Sequence, residues 1–386
     1  MHTQAHAASG QAAGLALHYV PWEQAAEAEE AQLRVAAATH TPAPLAAASR
    51  APTEAATQKA ALWGILLVLA SSLLFSTSNF FIYLVARGGS QIPPAQTLCV
   101  RFFFQFGFSI LATLLMRRGR LTDRRVWLGR PGNEWKLIAR GLFGVGGLGC
   151  WIWMLSNVSL SDATGIIFLN IPLTALFARL FLGEAYTRVD ALTGLLGLLG
   201  VVLVAHPAAI FGGAAAPLSP LAVVVGVSGA CFSAGAFLSI RTIGPGEDPF
   251  VVTLAFAVCG CLFSPIVLLA TAGTWQAVEQ PLHAWLLIGI GVTGFLGQLL
   301  LNAGMGMAPA GPAAVMRYLD LVNALWMQSL LLQDAPSLLS LMGCLLVMTS
   351  VVSTLHKAKQ RARVVAMEKA GALAAAAAAA TAAPAK

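Results

Sequence analysis

Charge is scarce in this chain. Lys, Arg, Asp and Glu make up 10% of its 386 residues, against about a quarter in an ordinary soluble protein. With 58% apolar residues and a mean hydropathy of +0.76, a water-soluble globule is excluded. Histidine is sparse too. His2, His6, His18 and His40 fall in the N-terminal tail, and His206, His283 and His356 sit at the ends of apolar stretches, so none can relay protons in mid-membrane. Every Lys lies in a loop, at the edge of an apolar stretch or in a tail. The six cysteines (Cys99, Cys150, Cys231, Cys259, Cys261, Cys344) are all inside apolar stretches, where Cys behaves as a small apolar residue. Cys259 and Cys261 have the wrong spacing for zinc and no His nearby. No metal site, cofactor or structural disulfide is expected. Paired deep carboxylates and a nucleophile beside a base are also lacking, so the chain does not read as an enzyme. Gly141 to Gly149 could pass for a phosphate cradle, but no strand precedes it and the Lys-Ser/Thr pair is missing, which leaves helix packing as its reading.

What the chain has in quantity is long apolar runs. Stretches near 61–84, 94–116, 137–157, 163–182, 190–207, 218–240, 249–271, 283–304, 310–332 and 336–355 approach or exceed the roughly 20 residues that cross a bilayer. Ten spans is the best count. The span at 190–207 is short, and the boundary near Leu160 is soft. Several tryptophans (Trp63, Trp135, Trp275, Trp285) lie near span ends, as interfacial anchors do. The expectation is an all-α polytopic membrane protein.

The spans repeat. Gly141-Leu142-Phe143-Gly144-Val145-Gly146-Gly147-Leu148-Gly149 aligns with Gly289-Ile290-Gly291-Val292-Thr293-Gly294-Phe295-Leu296-Gly297, with glycine shared at the first, sixth and ninth places. Ser71 and Phe75-Ser76 likewise match Ser228 and Phe232-Ser233. Each copy holds five spans, an odd number, so the copies have opposite orientations. Inverted repeats around a central site are the architecture of secondary transporters. The expected organisation is a disordered tail over 1–60, a first repeat over 61–208, a second over 217–356, and a basic then Ala-rich tail over 357–386. Gly194-x-x-Gly197-x-x-Gly200 and Gly226-x-x-Gly229 put small residues at helical spacing, which lets helices approach closely in lipid.

The net charge of +7 is distributed by side. Arg117, Arg118, Arg120, Arg124, Arg125, Arg130 and Lys136 fall in the second loop, and Lys357, Lys359, Arg361, Arg363 and Lys369 follow the last span. Arg188 and Arg241 mark two further turns on that side, against Arg87 alone on the other. With ten spans and both termini cytosolic, this is the positive-inside pattern. The second-loop cluster lacks interleaved aromatics beyond Trp127 and Trp135, so nucleic acid is not an expected partner. The lipid bilayer and a small-molecule solute are the expected partners, and a homodimer is compatible with the sequence. Glu23, Glu27, Glu29 and Glu30 make the N-terminal tail acidic, unlike a transit peptide. The closing Ala-Pro-Ala-Lys is no lumenal retrieval tetrapeptide. Plasma membrane and endomembrane both remain open.

Deep polar groups are costly, by roughly 2.5–3.5 kcal/mol for a central Arg or Asp on insertion scales, so each one asks for a role. Arg101 is seven residues into the second span. Arg317 and Asp320 lie at i and i+3 in the ninth, on one helix face. The repeat superposes Asn170, beside Pro172 in the fourth span, on Asp320. Asn79, Gln105, Gln298, Asn302 and Asn323 are further candidates. The functional reading gives Arg101 and Arg317 the anionic part of a solute. Asp320 then orients Arg317 or takes a co-transported proton, and Asn170 and Gln298 complete the substrate site. In the alternative, Arg317 and Asp320 only neutralise each other and pin the bundle.

These residues also carry a resemblance. Arg101-Phe102-Phe103-Phe104-Gln105 is one part of it. Asp162-Ala163-Thr164, running through Pro172-Leu173-Thr174-Ala175 to Leu182-Gly183-Glu184, is another. The third is Arg317-Tyr318-Leu319-Asp320 with Gln328 and Asp334. In that order the chain resembles the drug/metabolite transporter superfamily, whose ten-helix members are built from two EamA-type repeats, and within it the group-G branch of solute carrier family 35. The likeness covers roughly residues 60–356. It implies ten helices and a central cavity opening alternately to each side. The chain departs from the phosphate-translocating and nucleotide-sugar branches in having no deep Lys, which lowers sugar phosphates as cargo. The expectation is a carrier for a small anionic organic metabolite. The competing class is a non-transporting membrane protein that regulates a partner, and a channel is disfavoured because rings of like charge are missing.

Overall fold

The computed structural model describes residues 43–87, 92–116, 122–158, 160–212, 219–270, 274–332 and 337–382. The membrane helices are α1 (Ala43–Arg87), α2 (Pro94–Met116), α3 (Glu134–Asn157), α4 in two halves, α4a (Leu160–Ile167) and α4b (Asn170–Leu182), α5 (Arg188–Ala205), α6 (Pro220–Ile243), α7 (Pro249–Ala270), α8 (Pro281–Met307), α9 in two halves, α9a (Ala310–Val315) and α9b (Leu319–Leu332), and α10 (Leu338–Ala382). A short surface helix, Arg124–Leu128, lies between α2 and α3. The described residues contain no strand. The spans belong to one compact unit of residues 55–368, and the helical stretches 43–54 and 369–382 lie outside it. The tail expected over 1–60 falls outside the described residues up to position 42, and residues 43–60 of it are helical.

Local chemistry sets the helix starts. α2, α6, α7 and α8 each begin with Pro, whose missing N–H is no loss in a first turn. Ser219 caps α6 by accepting from the Ala222 N–H, and Thr187 with Asp190 forms a capping box on α5. Nine helices among the described residues are long and apolar enough to cross a membrane, with α4 taken across its break. The stretch 310–332 is absent from that set: Arg317, Asp320, Asn323 and Gln328 lower its hydropathy, and a 3-10 turn, Met316–Tyr318, divides it. With it the spans number ten. Trp63, Trp135, Trp275 and Trp285 are all exposed, as interfacial anchors should be.

Helix pairing repeats with a shift of five. Gly64 of α1 and Gly304 of α8 pack so closely that a methyl group on either would come within 2.6 Å of the other's carbonyl oxygen. Moving each helix number by five gives α6 and α3, where Gly147 faces Ser233 and Gly229 faces Cys150. The contact of α2 with α8, Arg101 on Gly294, becomes that of α7 with α3, Phe256 on Gly144. Ile166 of α4a on Gly226 of α6 corresponds to the hydrogen bond from Ser72 of α1 to the Met316 carbonyl at the break in α9, 3.1 Å. Three pairs map onto themselves: α2 with α7 (Phe102 on Gly260), α5 with α10 (Gly200 on Gly343), and α4 with α9 (Ala175 on Gly311). A self-mapped pair must lie across the axis relating the repeats. For inverted repeats that axis runs in the membrane plane.

One end of the bundle gathers the charged connections. Glu247 accepts from the Arg130 N–H and from Asn133 Nδ2, both at 2.9 Å. Lys136 donates to the Thr242 carbonyl at 3.1 Å. Glu184 accepts from Arg241 Nε at 2.6 Å and from the Ala310 N–H at 2.8 Å, while Arg241 Nη1 donates to the Gly306 carbonyl at 3.1 Å. Asp190 pairs with Lys357 at 2.5 Å, so the first basic residue after the last span is docked rather than loose. At the other end, Gln96 and the Gln276 backbone exchange two hydrogen bonds of 2.7 and 2.8 Å.

Candidate functional site

The breaks in α4 and α9 build the site. In α4, Pro172 offers no N–H to the Phe168 carbonyl four residues back. The Ile171 N–H takes it instead at 3.2 Å, and the Leu169 N–H turns to Ile166 at 3.1 Å, so the helix tightens and restarts at Asn170. In α9 the tightening falls at Met316–Tyr318 and the helix restarts at Leu319. Asn170 and Asp320 therefore occupy corresponding places, each in the first turn of a second half-helix. The breaks face each other, with the Phe168 and Tyr318 rings stacked at 6.2 Å. Tyr318 is fully buried; it lies on Gly197 and donates to the Gly194 carbonyl of α5 at 3.0 Å. That contact uses the Gly-x-x-Gly face of α5.

Three of the five expected site residues come together here. Arg317 and Asp320 form an ion pair of 2.5 Å, both largely buried. The Arg317 guanidinium lies over the Phe75 ring of α1 at 4.4 Å from its centroid, and the Arg101 guanidinium approaches the same ring at 5.5 Å. Phe75 thus holds two like charges in one place, and one carboxylate stands against them. Gly294 of α8 makes room for Arg101: a methyl group there would come within 2.9 Å of its Nε. Arg101 is 8% exposed and Asp320 6%.

Several polar atoms in this region are buried without a hydrogen-bond partner. They are Arg317 Nη1, Asp320 Oδ1, Asn170 Oδ1, Asn323 Nδ2 and both amide atoms of Gln105, which lies one turn beyond Arg101. Such orphans are uncommon in folded proteins and each calls for an explanation. Gln298 differs. It is one turn beyond Gly294, and its Nε2 donates to Asn302 Oδ1 at 3.4 Å, while Asn302 Nδ2 donates to Thr253 Oγ1 of α7 at 2.8 Å. That chain ties α8 to α7. Asn79 is exposed.

Phe75 was not among the sequence candidates; its place in the repeated Phe-Ser pair was the available signal. Arg140, fully buried in α3, is also new. It sits near enough to the start of its span for sequence position alone to suggest an interfacial charge. A groove of about 510 Å³ opens elsewhere, between α3, α4b and α6, lined by Phe143, Phe177, Phe181, Phe232, Ser239 and Thr242. None of the five expected site residues lines it, and Phe181 is 72% exposed, so it faces the outside of the bundle.

Comparisons with known proteins agree with this architecture. The chain is 26% identical to human solute carrier family 35 member G1 over 295 residues, covering 75% of this chain and 78% of that one. It is 29% identical to the pseudopaline exporter CntI of Pseudomonas aeruginosa, covering 75% of this chain and 95% of the exporter. A solved crystal structure superposes with a TM-score of 0.62 over 75% of this chain and 97% of its own, at 18% identity, which speaks for the fold alone. The model of the EamA-like transporter family matches residues 62–205 and again 220–355. This chain is an integral multi-pass membrane transport protein, not an enzyme, and it belongs to the EamA-like transporter family.

Proposed function

We propose that the protein is a secondary transporter that moves a small anionic organic metabolite by alternating access. The two repeats, taken as 61–208 and 217–356, rock about a site made by Arg101, Arg317, Asp320, Asn170 and Gln298. The observation that carries this is the meeting of two guanidiniums and one carboxylate on Phe75, at the facing breaks of α4 and α9. Broken helices around a mid-depth site are how carriers expose backbone and charge to a solute. The excess of positive charge selects for an anion, with Asp320 orienting Arg317 or taking a coupled proton. The orphaned atoms of Gln105, Asn170, Asn323 and Arg317 support carriage over mere bracing of the bundle, because a brace gains nothing from unpaired polar groups. The buried state of Arg101 and Asp320 fits a conformation closed at both ends.

Both termini are assigned to the cytosol, in the plasma membrane or an endomembrane. The assignment rests on the basic connections gathered at one end of the bundle. No part is proposed for nucleic acid. The test is uptake of labelled lactate, succinate and glucose 6-phosphate into proteoliposomes. Uptake of a carboxylate by the wild-type protein and its loss in Arg317→Ala and Arg101→Ala are expected. Undiminished anion uptake by both variants would remove the site proposal.

A further inference from the structure

Arg140 is a buried guanidinium outside the site above, 2% exposed and seven residues into α3 counting Glu134 as the first. Helical side chains lean toward the N-terminus, and a cation near a span end ordinarily reaches back to the interface. Arg140 does the opposite. Its Nη1 lies against Gly144, one turn deeper into the span, where any side chain would collide with it and would come within 2.6 Å of the Phe256 ring. The guanidinium sits 4.3 Å from the centroid of that ring, and Phe256 packs edge-on against Phe102 of α2 at 5.1 Å. Neither Nε nor Nη1 has a hydrogen-bond partner, and no carboxylate among the described residues pairs with the group. A cation held away from water by a ring and a glycine, with two donors unused, is a place prepared for an anion.

Arg101 has a comparable setting, although the two arginines are not related by the repeat. Arg101 lies over Phe75 and against Gly294, and Arg140 lies over Phe256 and against Gly144, both glycines coming from the duplicated Gly-rich run. In the proposed topology Arg101 belongs to the central site and Arg140 lies toward the face of residues 122–133. Arg101 is near the start of α2 and Arg140 near the start of α3, and successive spans begin on opposite faces.

We propose that Arg140 is a second anion station, between the central site and the face that carries residues 122–133, and that it receives a carboxylate of the transported solute. This rests on the carrier reading and adds a side to it. Solute arriving from that face meets Arg140 first; solute from the other face meets Arg101.

The experiment measures KM separately at each face, in right-side-out and inside-out vesicles, with whichever of labelled lactate or succinate the wild type carries and inorganic phosphate as a separate arm. Arg140→Gln is expected to raise KM about tenfold at the face of residues 122–133 and to leave the other within about twofold, the signature of a lost binding interaction. Arg140→Lys should recover much of the loss. Gly144→Ala, which displaces the guanidinium while keeping it, should repeat the defect. The unchanged KM at the opposite face certifies that the variants are folded. An equal KM change at both faces, or none at either, would overturn the station while leaving the carrier intact. Absence of carboxylate uptake by the wild type would overturn both, and a KM effect confined to phosphate would overturn the carboxylate assignment.

Discussion

At the scale of single residues, the proposed site centres on Phe75 and on the charge it gathers. A guanidinium over a ring gains roughly 0.5–1 kcal/mol when exposed and about 2 or more when desolvated. Phe75 faces two of them, at 4.4 and 5.5 Å. Phe75→Leu keeps the volume near its own but removes the quadrupole, so the KM for the carried anion should rise roughly tenfold. An unchanged KM in the uptake assay would show that the ring is only packing. Asp320 has the opposite role, as the one carboxylate paired with Arg317. Removing one partner of a buried pair costs roughly 3–5 kcal/mol, whereas replacing both can be near neutral. Asp320→Asn should therefore lower the thermal midpoint of the purified protein by more than Arg317→Gln/Asp320→Asn does. Should the double variant unfold at the sum of the two single losses, the residues are not acting as a pair.

At the scale of elements, the question is what divides α4 and α9 and what closes the bundle over them. The hydropathy of 163–182 marks a span, the apolar run 310–332 is helical on either side of its break, and the glycines at 194, 197 and 200 form the close-packing face that their spacing suggests. The break in α4 could be anticipated from Pro172. The break in α9 could not, because no proline stands within Met316–Tyr318. It is held by tertiary contacts: Ser72 on the Met316 carbonyl and the Tyr318 ring on Gly197. Position in sequence revealed Arg317, Asp320 and Arg101 as deep charges, while their meeting on a ring of α1 depended on packing between distant segments. The closure is equally non-local. Glu184 joins the end of α4b to α6 and to the start of α9a through charged hydrogen bonds, while the far end is joined by a neutral pair, Gln96 and Gln276. Charge-assisted hydrogen bonds are roughly twice as strong as neutral ones. Glu184→Gln should loosen the first end selectively, so that a cysteine placed at Ala308 reacts faster with an aqueous thiol reagent. Unaltered labelling would mean that Glu184 serves only to hold the helix ends.

At the scale of the whole molecule, the pairing of helices under a shift of five has a topological consequence. If the repeats are inverted, the connections around 122–133, 183–187, 244–248, 308–309 and 357–361 must share one side, and 274–280 must lie on the other. The hydrogen bonds of Glu247, Glu184, Lys136 and Asp190 bring the first group together. In the proposed topology that side is cytosolic, because Arg130, Lys136, Arg241, Lys357 and Arg361 follow the positive-inside bias. Single cysteines at Gly246, Gln360 and Glu279, in a chain whose six native cysteines are replaced, can be reacted with an impermeant thiol reagent in intact cells or sealed vesicles. The first two should be protected from the non-cytosolic side and the third labelled from it. Labelling of Gly246→Cys and Gln360→Cys from opposite sides would require an odd number of crossings between α6 and α10. The repeats could then not be inverted, and the site at the crossing of α4 and α9 would lose its place on the axis.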